Sequence, residues 1–142
     1  MTDMVPIALQ LPWRQANKIL PATGTGLITI AAGGLTNAST APTKVFAVIA
    51  SNNDTIAHDI KLGITDAGNM FTILGTVTLA INAGYAGNLP SVNLLNAIPS
   101  LPLDETGQAY LFLNATDTLQ VAASVAVNTG HDVDIVVFGA DF

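Results

Sequence analysis

The chain has 142 residues, of which 50% are hydrophobic and only 10% charged, and its net charge is −6. That length suits one domain with a real core, needing neither disulfides nor metals, and so high a hydrophobic content excludes disorder. Apolar runs such as residues 45–50 and 135–138 fall far short of the ~20 residues a spanning helix needs, which excludes a transmembrane helix despite a mean hydropathy of +0.52.

Residues 1–25 read as an extended N-terminal arm, followed by a single domain over 26–142. Residues 4–11 are apolar and extended, broken by Pro6 and ended by Pro12. Residues 13–20 hold the only Trp and two of the four basic residues, with room for one short helical turn, and residues 21–26 are a turn-rich exit. An arm of this kind either tucks over its own domain or is given to a neighbour, because large aromatics are enriched in cores and in interface hot spots alike. Val5, Ile7, Leu9, Leu11 and Trp13 are its candidate interface residues. No basic region followed by an apolar one opens the chain, so export by a cleaved signal peptide is not expected.

From Leu27 onward the pattern is β. Residues 27–30 form a short strand, and residues 45–50 a nearly continuous apolar one, as expected where both faces are covered. Ser51-Asn52-Asn53-Asp54 is a dense turn signal. Ile56, His58, Ile60, Leu62 and Ile64 then alternate with polar or small residues, the period of a half-buried strand. Residues 66–69 turn the chain into another strand over 70–80, with Gly75 as a bulge or kink.

Residues 81–102 break this rhythm. Residues 82–88 are glycine-rich and carry Tyr85, a further candidate interface residue, and Ser91 can cap a short helix over 92–96. Residues 110–113 resume the sheet, and a long alternating strand follows over 119–127. Asn128-Thr129-Gly130 reads as a hairpin into a last strand over 133–137. Seven or eight strands with a turn about every ten residues predict an all-β chain, an antiparallel β-sandwich or jelly roll behind an extended N-terminal arm.

Chemistry-bearing motifs are weak throughout. Leu20-Pro21-Ala22-Thr23-Gly24 spells a sortase sorting signal, but at the wrong end of the chain, and reads as a turn. The sequons at Asn37, Asn53 and Asn114 mark Asn-led turns. Asp132 and Asp134 share a strand face beside His131, yet two carboxylates make a poor site for a cation that takes six to eight oxygens. His58 and Asp59 point to opposite faces of one strand, so they cannot serve one substrate. No nucleophile, phosphate or dinucleotide motif is present. With no cysteine, two histidines and four basic residues in all, the reading is a non-enzymatic protein with no catalytic, cofactor or metal site. The scattered Arg14, Lys18, Lys44 and Lys61 exclude a nucleic-acid footprint and disfavour an anionic membrane.

Fourteen charges over a folded surface of roughly 6,900 Å² leave roughly 500 Å² for each, against roughly 200 Å² at average composition. Such a surface is an aggregation risk unless partners cover its apolar area. That points to a subunit whose working state is the bound one.

The runs Gly84-Tyr85-Ala86-Gly87-Asn88, Val92-Asn93-Leu94-Leu95 and Leu101-Pro102-Leu103-Asp104-Glu105-Thr106-Gly107 resemble a group of small tailed-phage proteins. Tyr110-Leu111-Phe112-Leu113, Asp117-Thr118-Leu119-Gln120-Val121 and Phe138-Gly139-Ala140-Asp141-Phe142 continue the likeness, which covers residues 45–142. The group comprises virion β-sandwich components, among them capsid cement or decoration proteins. The resemblance implies a homo-oligomer, a trimer, that binds the major capsid protein on the capsid surface after assembly in the host cytoplasm. It implies no catalytic residues. A tail, neck or baseplate component and a carbohydrate-binding sandwich module are the alternatives.

Overall fold

A computed structural model describes residues 11–33 and 42–141. Nine strands run in chain order: β1 (Leu11–Ile19), β2 (Ile28–Ala32), β3 (Thr43–Asn52), β4 (His58–Thr65), β5 (Phe71–Leu79), β6 (Val92–Asn93), β7 (Leu111–Leu113), β8 (Thr118–Ala123) and β9 (Val133–Asp141). The one helical element among the described residues is a 3-10 turn, Pro21–Thr23. One sheet has the order β1-β9-β3, with both β6 and β7 pairing β3; the other has the order β2-β8-β4-β5. Every pairing is antiparallel, and the two sheets pack face to face as in a β-sandwich.

The core lies between the sheets and is built from alternate residues. On β9 these are Val133, Ile135 and Val137, on β3 Val45, Val48 and Ala50, on β4 Ile60 and Leu62, and on β8 Leu119 and Val121, all fully buried. A period of two places each set on one face of its strand. The alternation expected over residues 56–64 is therefore the core face of β4.

Residues 11–19, expected to belong to the arm, are instead a full strand. Its register on β9 runs unbroken from Leu11↔Asp141 to Ile19↔Val133. The inward positions of β1 are Trp13, Gln15, Asn17 and Ile19, and the two polar ones hide the alternation in the sequence. Asn17 is used inward: its Nδ2 donates to the Ile30 carbonyl at 3.0 Å and ties β1 to the other sheet. The part of the expected arm before Leu11, with Val5, Ile7 and Leu9, lies outside the described residues.

Two further expectations are corrected. The short helix over 92–96 is the two-residue strand β6 followed by turns. Asn93 Oδ1 accepts the amides of Val48 (3.1 Å) and Leu95 (3.2 Å), fastening the segment to β3, while Leu94 and Leu95 enter the core. The hairpin at residues 128–130 is a crossover between sheets, because β8 pairs β2 and β4 whereas β9 pairs β1 and β3. Its Asn128 is drawn inward onto Asp54. The β4–β5 hairpin is formed as expected, and the extra residue sits at Leu74, beside Gly75, where Leu62 pairs Gly75 and Gly63 pairs Ile73.

Candidate interaction face

The two sheets differ in what they turn outward. Across β1, β9 and β3 the register aligns Arg14 with Phe138 and Ala47, Ala16 with Val136 and Ile49, and Lys18 with Asp134 and Ser51. Their neighbours along each strand are core residues, so these rows form the outer face. Its centre is apolar: Ala16 is exposed, and Val136, Phe138, Ala47 and Ile49 are half-buried. At a bulge between Val45 and Ala47 the extra residue, Phe46, is also exposed.

The outer face of the second sheet is mostly polar and bonded to itself, with Phe71 and Ile73, the latter 51% exposed, its apolar members at the β5 edge. Gln120 accepts from Thr65 Oγ1 and donates to Thr29 Oγ1 at 3.1 Å, and Thr78 donates to Asp59 at 2.6 Å. Lys61 and Thr76 complete the rows. Hydroxyls and amides that satisfy one another suit a surface facing water, whereas a patch of aliphatic and aromatic carbon does not.

An open groove continues the apolar face at the β3–β7 edge, lined by Lys44, Leu103, Asp104, Tyr110 and Phe112 among others. Phe112 lies directly across the ladder from Lys44. It meets the Tyr110 ring edge-to-face at 5.4 Å, and the Lys44 ammonium sits 4.9 Å from the centre of that ring. Leu103 is 62%, Phe112 52% and Phe46 37% exposed.

A polar corner closes the opposite end of the face. Lys18 Nζ donates to Asp134 at 2.6 Å and to Asp132 at 3.2 Å, and the Tyr85 hydroxyl donates to the second oxygen of Asp134. Those hydrogen bonds, to Asp134 first, raise the Lys18 ammonium above the usual lysine range. The bond to Asp134 likewise pushes the Tyr85 phenol up. Burial alone would raise Asp134, but donation from Lys18 and Tyr85 leaves its carboxyl lowered. The space between Asp132 and Asp134 is thus filled by an ammonium of the chain itself.

Of the candidate interface residues, Tyr85 is half exposed and anchored at this corner. Trp13 packs on the chain's own core, and its Nε1 donates to Asp141 at 3.0 Å. Leu11, half-buried, opens β1. Val136, Phe138, Ile49, Phe46 and Phe112 carry the face and were not singled out in the sequence. The available signal was the unbroken apolar runs of β3 and β9: such runs call for cover on both sides, and among the described residues the sandwich covers one.

The two histidines serve the fold. Asp54 is fully buried and accepts from the amides of Thr55 (2.7 Å) and Asn128 (3.0 Å) and from Asn128 Nδ2 (3.0 Å). His58 Nε2 lies 2.7 Å from Asp54 Oδ2, the oxygen that also accepts the Asn128 amide. Since that carboxylate can only accept, Nε2 carries the proton. His131 Nδ1 contacts the carbonyl and the side-chain oxygen of Asn53. No protein-family model matches the chain, and no curated protein matches it.

Proposed function

We propose that the chain is a non-enzymatic structural subunit of a tailed-phage virion, a capsid cement protein that works as a homotrimer and clamps neighbouring major capsid subunits on the capsid surface. The observation that carries this reading is the inequality of the two outer faces. A monomer in water has little use for a sheet whose exterior centres on Val136, Phe138, Ile49 and Ala47, while a subunit held permanently in a lattice does. At ~25 cal/mol per Å² of apolar area, a contact near 1,500 Å² has tens of kcal/mol of gross drive before the costs of association.

The strand order supports a jelly roll, an architecture that recurs in viral shells. Successive strands alternate between the sheets, except that β4 pairs β5 and that β6 and β7 both lie on β3. The likeness of residues 45–142 to small virion proteins points the same way. The sugar-binding alternative would need open aromatic faces; Tyr85 is tied to Asp134 and the Tyr110 ring is engaged by Lys44 and Phe112.

Copy number in the native particle tests the assignment. A cement protein is present in the hundreds, in proportion to the major capsid protein. A dozen copies or fewer would replace it with a tail, neck or baseplate role, and no copies would end the virion reading.

A further inference from the structure

β1 is an edge strand, paired on one side only, and one connector, residues 20–27, joins it to the described chain that follows. Its contacts fall on β9 and the residues just before it. The Trp13 ring lies over Gly139 and its Nε1 donates to Asp141, while Lys18 reaches Asp132 and Asp134. Asn17 adds the Ile30 carbonyl of β2. A second copy of the chain presents every one of these groups in the same arrangement. The strand therefore fits the body of another copy as well as it fits its own.

The connector has the character of a hinge. None of residues 20–27 is buried, and Leu20 and Leu27 are 46% and 44% exposed. Its backbone bonds are made within itself, from Thr23 to Leu20, from Gly24 to Pro21 and from Gly26 to Thr23. Opening it takes no buried side chain out of the body. Leu20 is already extended (φ −102°, ψ 162°), as a residue before proline prefers. Eight residues drawn straight span ~26 Å, more than twice the ~10 Å between packed sheets. β1 is also lightly anchored from within: Gln15 and Asn17 take two of its four inward positions, and Gln15 Oε1 is buried without a hydrogen-bond partner among the described residues. An edge strand with polar inward positions behind an unpacked hinge suits local release, and exchange of an identical element is a low-cost route to an oligomer.

We infer that β1 is exchanged between copies: in the oligomer, Leu11–Ile19 of one chain pairs with β9 of the next, in the register it holds on its own β9. The contact is heterologous, head to tail, so a rotation that closes makes a ring. The inference deepens the trimer of the proposed function and rests on that part of it.

Lys18 and Asp134 report which chain donates the strand, because the pairing of β1 with β9 is what brings them to 2.6 Å. The natural sequence serves, so no variant has to fold. Equal amounts of ordinary and isotopically heavy chain are unfolded together and refolded, and the oligomer is isolated by size. A carbodiimide then joins Lys18 to Asp134 as an amide, and mass spectrometry of the digest reads the isotopes on both sides of the link. Exchange predicts that close to half of the links join a light chain to a heavy one, as random assortment of donor and acceptor requires. A mixed share no greater than in oligomers folded separately and then pooled overturns the inference, as does a refolded chain that stays monomeric at every concentration tried. Particle binding, scored separately, distinguishes the two proposals. A chain that exchanges strands but never binds shells keeps this one and loses the cement reading, and an unexchanged chain that coats shells does the reverse.

Discussion

His58 Nε2 and Asp54 Oδ2 lie 2.7 Å apart with both side chains sealed from solvent. The pair joins the crossover from β3 to β4 with the crossover from β8 to β9, because Asn128 supplies two further donors to the same carboxylate. Asp54 thereby satisfies donors from three places in the chain, and His58 satisfies one acceptor.

That asymmetry predicts unequal losses. Asp54→Asn keeps the shape but sets an amide hydrogen against groups that are themselves donors, and removes the charge they solvate. About 3–5 kcal/mol of stability should go, the range for breaking a buried ionic contact on one side. His58→Gln leaves Asp54 with the Thr55 and Asn128 donors and should cost about 1–2 kcal/mol. Urea unfolding measures both, and a larger loss at His58 would contradict the arrangement.

Acid should act through the same group. Burial alone pushes the Asp54 carboxyl up, but the Asn128 amide, the His58 ring and the Thr55 amide together hold it far below its ordinary value of 3.8. A carboxyl depressed in this way binds its proton more readily in the unfolded chain. Its stabilisation is complete above about pH 4 and fades as pH falls toward the folded value. Below about pH 4 the natural chain should lose up to ~1.4 kcal/mol per pH unit more than Asp54→Asn. Denaturant midpoints at pH 3, 4, 5 and 7 provide the comparison, and parallel curves would remove Asp54 from the acid response.

Much of the fold was legible because it is local. The alternation of β4 and the Asp66 turn into β5 depend on residues adjacent in sequence, and Asp66 Oδ1 does accept the amides of Gly68 and Met70. What escaped was long-range. Asn128-Thr129-Gly130 has the composition of a hairpin, but its strands belong to different sheets, and the carboxylate that draws Asn128 inward lies 74 residues away. β1 was hidden because Gln15 and Asn17 occupy inward positions, where a pattern reader expects carbon. The apolar outer face was half legible. The run of β3 called for cover on both faces, but which side lacks cover within the described residues depends on strand pairing, which no local pattern encodes.

The face itself yields a pair of opposed predictions. Val136 points outward from β9, so Val136→Asp should change monomer stability by about 1 kcal/mol or less and abolish binding to particles, since a carboxylate would be desolvated at the centre of the contact. Thr76→Asp, on the polar face, should leave both unchanged. Co-sedimentation with shells and thermal melts of the free protein report the two quantities. Equal effects on binding from the two variants would show that neither face is special.

Trp13 and Gly139 supply the last prediction. They are paired across β1 and β9, and the indole lies over the glycine so closely that an added Cβ would fall 2.6 Å from its ring and 2.9 Å from the Lys44 carbonyl oxygen. The glycine is therefore a seat for the tryptophan, which in turn donates to Asp141 at 3.0 Å. Gly139→Ala should cost about 1–3 kcal/mol, the usual penalty for overpacking. Trp13→Leu should cost a similar amount through lost contact area and an unfilled seat. In the double variant the ring is gone, so part of the alanine's penalty is relieved and the two losses sum to less than their separate values. Relief should be incomplete, because the Lys44 oxygen belongs to the backbone of β3 and cannot move without its strand. A double-mutant cycle by urea unfolding measures the coupling, and strict additivity would show that the indole and the glycine do not share this space.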